Sequence, residues 1–107
     1  MPSSFLIVLT TLPDRLHARR LSQLVLKKRL AACIQQVGPI ESVYRWKKKI
    51  ERAKEYLLIL KTRNALFPRL KQVLEKNHPY SVPEIVALPF ARANSAYLRW
   101  LQAETRI

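Results

Sequence analysis

Nine consecutive residues, Asn77-His78-Pro79-Tyr80-Ser81-Val82-Pro83-Glu84-Ile85, place an imidazole, a phenol and a carboxylate between two prolines. Imidazole titrates near neutral pH and ligates metals through a neutral nitrogen, so His78 beside Tyr80 and Glu84 is the first place to look for proton transfer or metal binding. The prolines fix φ at their own positions and hold His78 and Val82 near extended geometry, which makes the segment a stiff presenter of side chains. The same pattern also serves simply to stop a helix and start a strand, with a histidine at the helix end for electrostatic reasons.

Elsewhere the chemically capable residues are few. Cys33 is the single cysteine, and its place in an apolar run reads as a small buried hydrophobe rather than a nucleophile. His17 falls on the basic side of a helical stretch with no evident carboxylate neighbour and is expected at the surface. Two histidines and one cysteine are too few for a closed transition-metal site within one chain, and a site shared between subunits would be weak or open. No nucleophile is paired with a base, which argues against an enzyme. A single glycine excludes the glycine-rich phosphate loops.

These groups must be held by one small domain. A chain of 107 residues supports a single core, so residues 1–107 are read as one domain. With 49% hydrophobic and 25% charged residues it is globular. The apolar run from Phe5 to Leu9 is far short of the roughly 20 residues that cross a bilayer, so no membrane span is expected. An unpaired cysteine and the lack of a leader-like opening point to the cytoplasm. The net charge of +13 attracts nucleic acid, acidic membranes or acidic proteins, or is a solvated basic surface.

The hydrophobic pattern predicts the elements. Phe5 to Thr11 reads as a buried strand ended by Leu12-Pro13-Asp14, and Asp14 is a plausible N-cap for a helix over 15–30. Residues 31–37 and 42–46 are strand-like on either side of Gly38-Pro39, which bends or bulges one long strand. Lys47-Lys48-Lys49 reads as a hairpin tip, and Glu55 to Thr62 as the returning strand. A second helix follows Asn64, with Leu66, Leu70, Val73 and Leu74 on one stripe and Pro68 near its start. Glu84 to Phe90 is a further strand, and Ser95 to Glu104 a last short helix. The order predicts an α+β ferredoxin-like βαββαβ sandwich with a long β-hairpin and an extra C-terminal helix. That hairpin outruns its own domain and carries Tyr44 and Trp46, which suggests oligomerisation.

Six blocks then coincide with one family. Leu9-Thr10-Thr11 with Pro13-Asp14, Leu30-Ala31-Ala32-Cys33, Ser42-Val43-Tyr44-Arg45-Trp46, Glu55 with Leu60-Lys61-Thr62, His78 to Ile85, and Tyr97-Leu98-Arg99-Trp100-Leu101 closely resemble CutA, the divalent-cation tolerance family. The resemblance implies a tight homotrimer of ferredoxin-like subunits, similar in architecture to the trimeric PII signalling proteins. It implies association with tolerance to divalent metals, chiefly copper, with no required cofactor and no established reaction. Its shared polar and aromatic residues fall on Tyr44, Trp46, Glu55, Lys61, His78, Tyr80, Glu84 and Trp100, several of them expected to line a cleft between subunits. Glu55, Lys61 and Glu84 are expected to pair by charge there, either to fix the trimer or to bind a ligand.

The chain departs from the pattern where metal would matter. Some members carry a cysteine at the position of Thr10 and a second histidine at that of Asn77, so copper-liganding capacity is reduced to His78. Trp46 leads into three lysines instead of an acidic, glycine-containing turn, and Ser81 replaces a frequent acidic residue. The expectation is therefore a cytoplasmic homotrimer with a small-molecule or anionic ligand in inter-subunit clefts near His78, Tyr80 and Glu84. The alternative, from the charge, is a basic trimeric binding module for nucleic acid or acidic partners.

Overall fold

The computed structural model describes residues 4–106. Its elements are β1 (Phe5–Leu12), α1 (Arg15–Lys27), β2 (Cys33–Trp46), β3 (Lys49–Arg63), α2 (Phe67–Asn77) entered through a single 3₁₀ turn at Asn64–Leu66, β4 (Val86–Pro89) and α3 (Ser95–Glu104). The four strands form one antiparallel sheet in the order β2-β3-β1-β4. The α+β class and the alternation of elements agree with the sequence reading. Strand limits do not: β3 begins at Lys49 rather than Glu55, and β4 is four residues long, pairing with Leu6 to Leu9 of β1. As an edge strand it tolerates Pro89, which has no N–H to donate.

Side-chain parity sorts the sheet into two faces. Leu6, Val8, Thr10 and Leu12 of β1, and Tyr56, Leu58, Leu60 and Thr62 of β3, turn to one side and are buried. There they meet Ala18, Leu21 and Val25 of α1 and Leu70 and Leu74 of α2 in one core. The opposite face carries Ile7, Leu9, Val37, Leu57, Ile59, Val86 and Leu88, of which Val37, Val86 and Leu88 are more than two-fifths exposed. The third helix does not join the first two. Tyr97 lies against Cys33 and Thr105 accepts from the Arg63 guanidinium at 2.8 Å, both residues of the open-face parity, so α3 closes one end of that face.

The ends of α1 follow local rules with one exception. Asp14 caps the N-terminus, its carboxylate accepting from the His17 N–H at 2.8 Å. At the C-terminus Arg29 donates its N–H to the Leu26 carbonyl and Leu30 donates to that of Val25, a Schellman closure with Val25 and Leu30 buried together. The left-handed position is normally glycine, yet it holds Arg29 at φ 58. Its guanidinium donates to the Ala103 and Glu104 carbonyls at the end of α3, so the unfavourable backbone placement joins two helix termini.

The hairpin is longer than its sheet. From Ile40 to Trp46 and from Lys49 to Glu55, β2 and β3 pair only with each other. At about 3.3 Å per residue this two-stranded ribbon overhangs by roughly 20 Å. It turns through Lys47 and Lys48, both in the left-handed region at φ 49 and 67. The ladder shifts register between Val37 and Ile40, where the Gly38-Pro39 peptide is cis. Glycine is required at 38 because a Cβ there would sit 2.6 Å from the Tyr56 ring.

Candidate functional site

Where the ribbon leaves the sheet, the segment 79–84 folds back beside it and encloses an open cleft of about 730 Å³. Register explains its walls. Ile40 pairs with Glu55, Ser42 with Ala53, Tyr44 with Glu51 and Trp46 with Lys49, so Ser42, Tyr44 and Trp46 share the face of Glu55. Thr11 of β1 has the same open-face parity. Pro79, Tyr80, Val82 and Glu84 supply the other side. The charged groups around the cleft are two carboxylates, Glu55 and Glu84, with no lysine or arginine among its walls.

Glu55 is 7% exposed and needs a donor, since a buried carboxylate left without one is costly. The Tyr80 hydroxyl supplies it, donating to Oε2 at 2.8 Å. Burial raises the Tyr80 phenol far above its ordinary value of 10, and the hydrogen bond to Glu55 adds to the shift. The hydroxyl is therefore a fixed neutral donor and does not serve as a base. The other carboxylate oxygen, Oε1, has no protein donor, and no side-chain oxygen in the described residues is sealed off without one, so Oε1 opens on the cleft.

His78 caps the C-terminus of α2 and turns away from this chamber. Its Nδ1 accepts the Tyr80 N–H at 3.2 Å, and its Nε2 lies 3.2 Å from the hydroxyl of Thr10, a fully buried residue of the helix-facing set. The hydrogen bonds therefore place the proton on Nε2. Burial lowers the His78 pKa below its ordinary 6.5, offset in part by the Thr11 backbone and the charge of Glu55, which leaves the ring neutral at pH 7. The expectation of His78 as a metal-facing group thus meets a ring engaged at both nitrogens. Among the described residues no group of three His, Cys, Asp or Glu side chains is placed to hold a metal ion.

The remaining expected residues separate. Lys61 shares the face of Glu55 but lies six residues along β3, roughly 20 Å away, and its ammonium donates to the Gln35 side chain. The expected charge pairing of Glu55, Lys61 and Glu84 is therefore not formed within the subunit, because one strand cannot bring its two ends together. Trp100 belongs to α3, 5.6 Å from the Tyr97 ring, at the far end of the open face. Tyr44, Trp46, Glu55, Tyr80 and Glu84 do meet at the cleft. Thr11, Ser42 and Val82 were not anticipated; the period-2 alternation that puts Thr11 and Ser42 on the face of Glu55 was the available signal. His17 is also corrected. Its Nδ1 lies 2.8 Å from Asp14, since the capping residue and the third residue of a first turn are neighbours.

The pattern of the CutA1 divalent ion tolerance protein family matches residues 6–104. A divalent-cation tolerance protein CutA of Thermus thermophilus is 43% identical over 99 residues, 92% of this chain and 96% of that protein. The chloroplastic CutA of Arabidopsis thaliana is 41% identical over 94% of this chain. This chain spans 56–59% of the plant and mammalian relatives. Among solved structures, CutA1 from Oryza sativa superposes with a TM-score of 0.94 at 40% identity, covering 98% of this chain and 96% of that one. A protein described as the periplasmic divalent cation tolerance protein CutA of Archaeoglobus fulgidus superposes at 0.91 with 33% identity, covering 94% and 97%.

Proposed function

Since the chain belongs to the CutA1 divalent ion tolerance family, we propose that it acts as a homotrimeric, non-enzymatic binding protein of the cellular metal response, with small-ligand clefts completed between subunits. The observation that carries this reading is the combination of an apolar open sheet face with a ribbon that overhangs its own domain. An isolated two-stranded ribbon is marginal in water, and its exposed Val43, Tyr44, Trp46 and Ile50 need a neighbour's surface to cover them. Three as the number of subunits is what the resemblance to the family implies, and it is part of the proposal. Mass measurement in solution at micromolar concentration tests this, and a stable monomer refutes it. Leu88→Glu, on the open face and distant from the cleft, is expected to dissociate the assembly.

The cleft walls favour a cationic or neutral occupant over the anionic one expected from the overall charge, because Glu55 and Glu84 are its charged side chains. Metal held by His78 alone is not part of the proposal, given that both ring nitrogens are engaged. A cytoplasmic setting is, and the unpaired Cys33 supports it. No described helix is long and apolar enough to cross a membrane. Titration of cupric ion against the protein and its His78→Ala variant separates the readings: unchanged affinity removes His78 from any metal role.

A further inference from the structure

The positive charge of this chain falls chiefly on two surfaces, the helix layer and the ribbon. Residues 14–29 and 64–78, which make the two-helix layer, hold nine lysines and arginines against only Asp14 and Glu75. The ribbon, residues 40–54, holds six against Glu41 and Glu51, and one of those six, Arg52, is paired with Glu41 at 3.2 Å. On α1, Arg19, Arg20, Gln23 and Lys27 are all exposed and fall within about a 100° arc of the helix. The acid on this helix, Asp14, is taken by His17. Among the described residues Arg19, Arg20 and Lys27 have no carboxylate partner. Beside them on α2, Arg69 and Lys76 are likewise exposed, while Lys71 is matched by Glu75.

We propose that this outward helix layer, and not the lysine tip of the hairpin, is a docking surface for the phosphate backbone of duplex nucleic acid. Arg20 and Lys27 stand about 10.5 Å apart along a rigid helix, a spacing at which both reach phosphates on one duplex face. An anionic bilayer suits the surface less well, because Ala18, Leu21 and Val25, the apolar side of α1, are committed to the core and leave only Leu16 and Leu26 exposed, too little for an inserting apolar face. An acidic protein partner would need an apolar centre with aromatic anchors, whereas the exposed large hydrophobics of this layer are Leu16 and Leu26 alone. The layer lies on the sheet side opposite the open face that is proposed to join subunits.

Fluorescence anisotropy of a labelled mixed-sequence DNA duplex tests the proposal on the intact protein. With ~3 phosphates neutralised by Arg19, Arg20 and Lys27, affinity should fall about 40-fold between ~50 and ~200 mM salt. Reversal of the three to glutamate should remove binding, and the milder Arg19→Gln/Arg20→Gln/Lys27→Gln should flatten the salt slope by about 2.7. Lys47→Gln/Lys48→Gln/Lys49→Gln should retain most of the binding. Far-UV circular dichroism and oligomer mass confirm that each variant is folded. The proposal is overturned by absence of binding at ~50 mM salt, by loss through the tip variant but not the helix variant, or by equal or tighter binding to phosphatidylserine vesicles.

Discussion

Replacing Lys47-Lys48 with Asn-Gly should stabilise the protein, and the size of the gain follows from two backbone angles. Both lysines sit at positive φ, 49 and 67, in a two-residue turn between Trp46 and Lys49. A side chain in that region costs about 1–2 kcal/mol per residue, and Asn-Gly is the pair that such turns favour. Glycine returns roughly 0.5–1 kcal/mol through the greater freedom of the unfolded chain, and asparagine relieves only part of its own strain. The net gain is about 1–2 kcal/mol per chain. With an unfolding entropy near 2.1 cal/mol/K per residue, each kcal/mol raises Tm by about 4–5 °C. Among the described residues neither lysine has a bonded partner to lose. Removing two positive charges also stabilises a chain of +13 by lowering self-repulsion, so Lys47→Gln/Lys48→Gln is the essential comparison. It removes the same charge and keeps the Cβ atoms. Calorimetry at matched salt should show the Asn-Gly protein well above the Gln-Gln protein. Equal shifts would assign the effect to charge and refute the backbone argument.

Tyr80→Phe should cost about 1–3 kcal/mol in urea unfolding, because it strips the donor from the buried Glu55 carboxylate; a loss within experimental error would mean that Glu55 is solvated from the cleft. Asp14→Ala should lower the unfolding midpoint through loss of the α1 cap, read from the same transitions. The lowered His78 pKa sets the sign of a pH effect. Below the ordinary value of 6.5 the unfolded chain takes up a proton that the folded ring resists, so stability falls as pH drops beneath it. His78→Gln should reduce that slope, and an unchanged slope would exclude burial as the cause. Moderate salt should raise Tm by screening the excess positive charge, and a fall would contradict it.

Legibility in the sequence depended on the range of the interactions involved. Asp14 as a cap, Gly38-Pro39 as the irregularity in a long strand, Leu66, Leu70 and Leu74 as a buried stripe, and the three lysines as a hairpin tip are local facts, fixed by propensity and periodicity within a few residues. The α+β class followed from their order. The chemistry did not follow, because the site depends on pairing between distant segments. His78 and Glu84 belong to one short stretch of sequence, yet His78 turns to Thr10 on the helix side while Glu84 borders the cleft.

Three-dimensional pairing likewise separated Lys61 from Glu55, although both were read as one charged cluster. It gave Glu55 a donor from Tyr80, 25 residues away. It placed α3 on the opposite face from α1 and α2, and it concentrated a charge that composition could only total. Which elements form was legible in the local residue pattern, since hydrophobic period and capping act within a few residues. Which side chains share a chamber, and which cations lack an acid nearby, was decided by register and burial, because those relations exist only after the strands have paired.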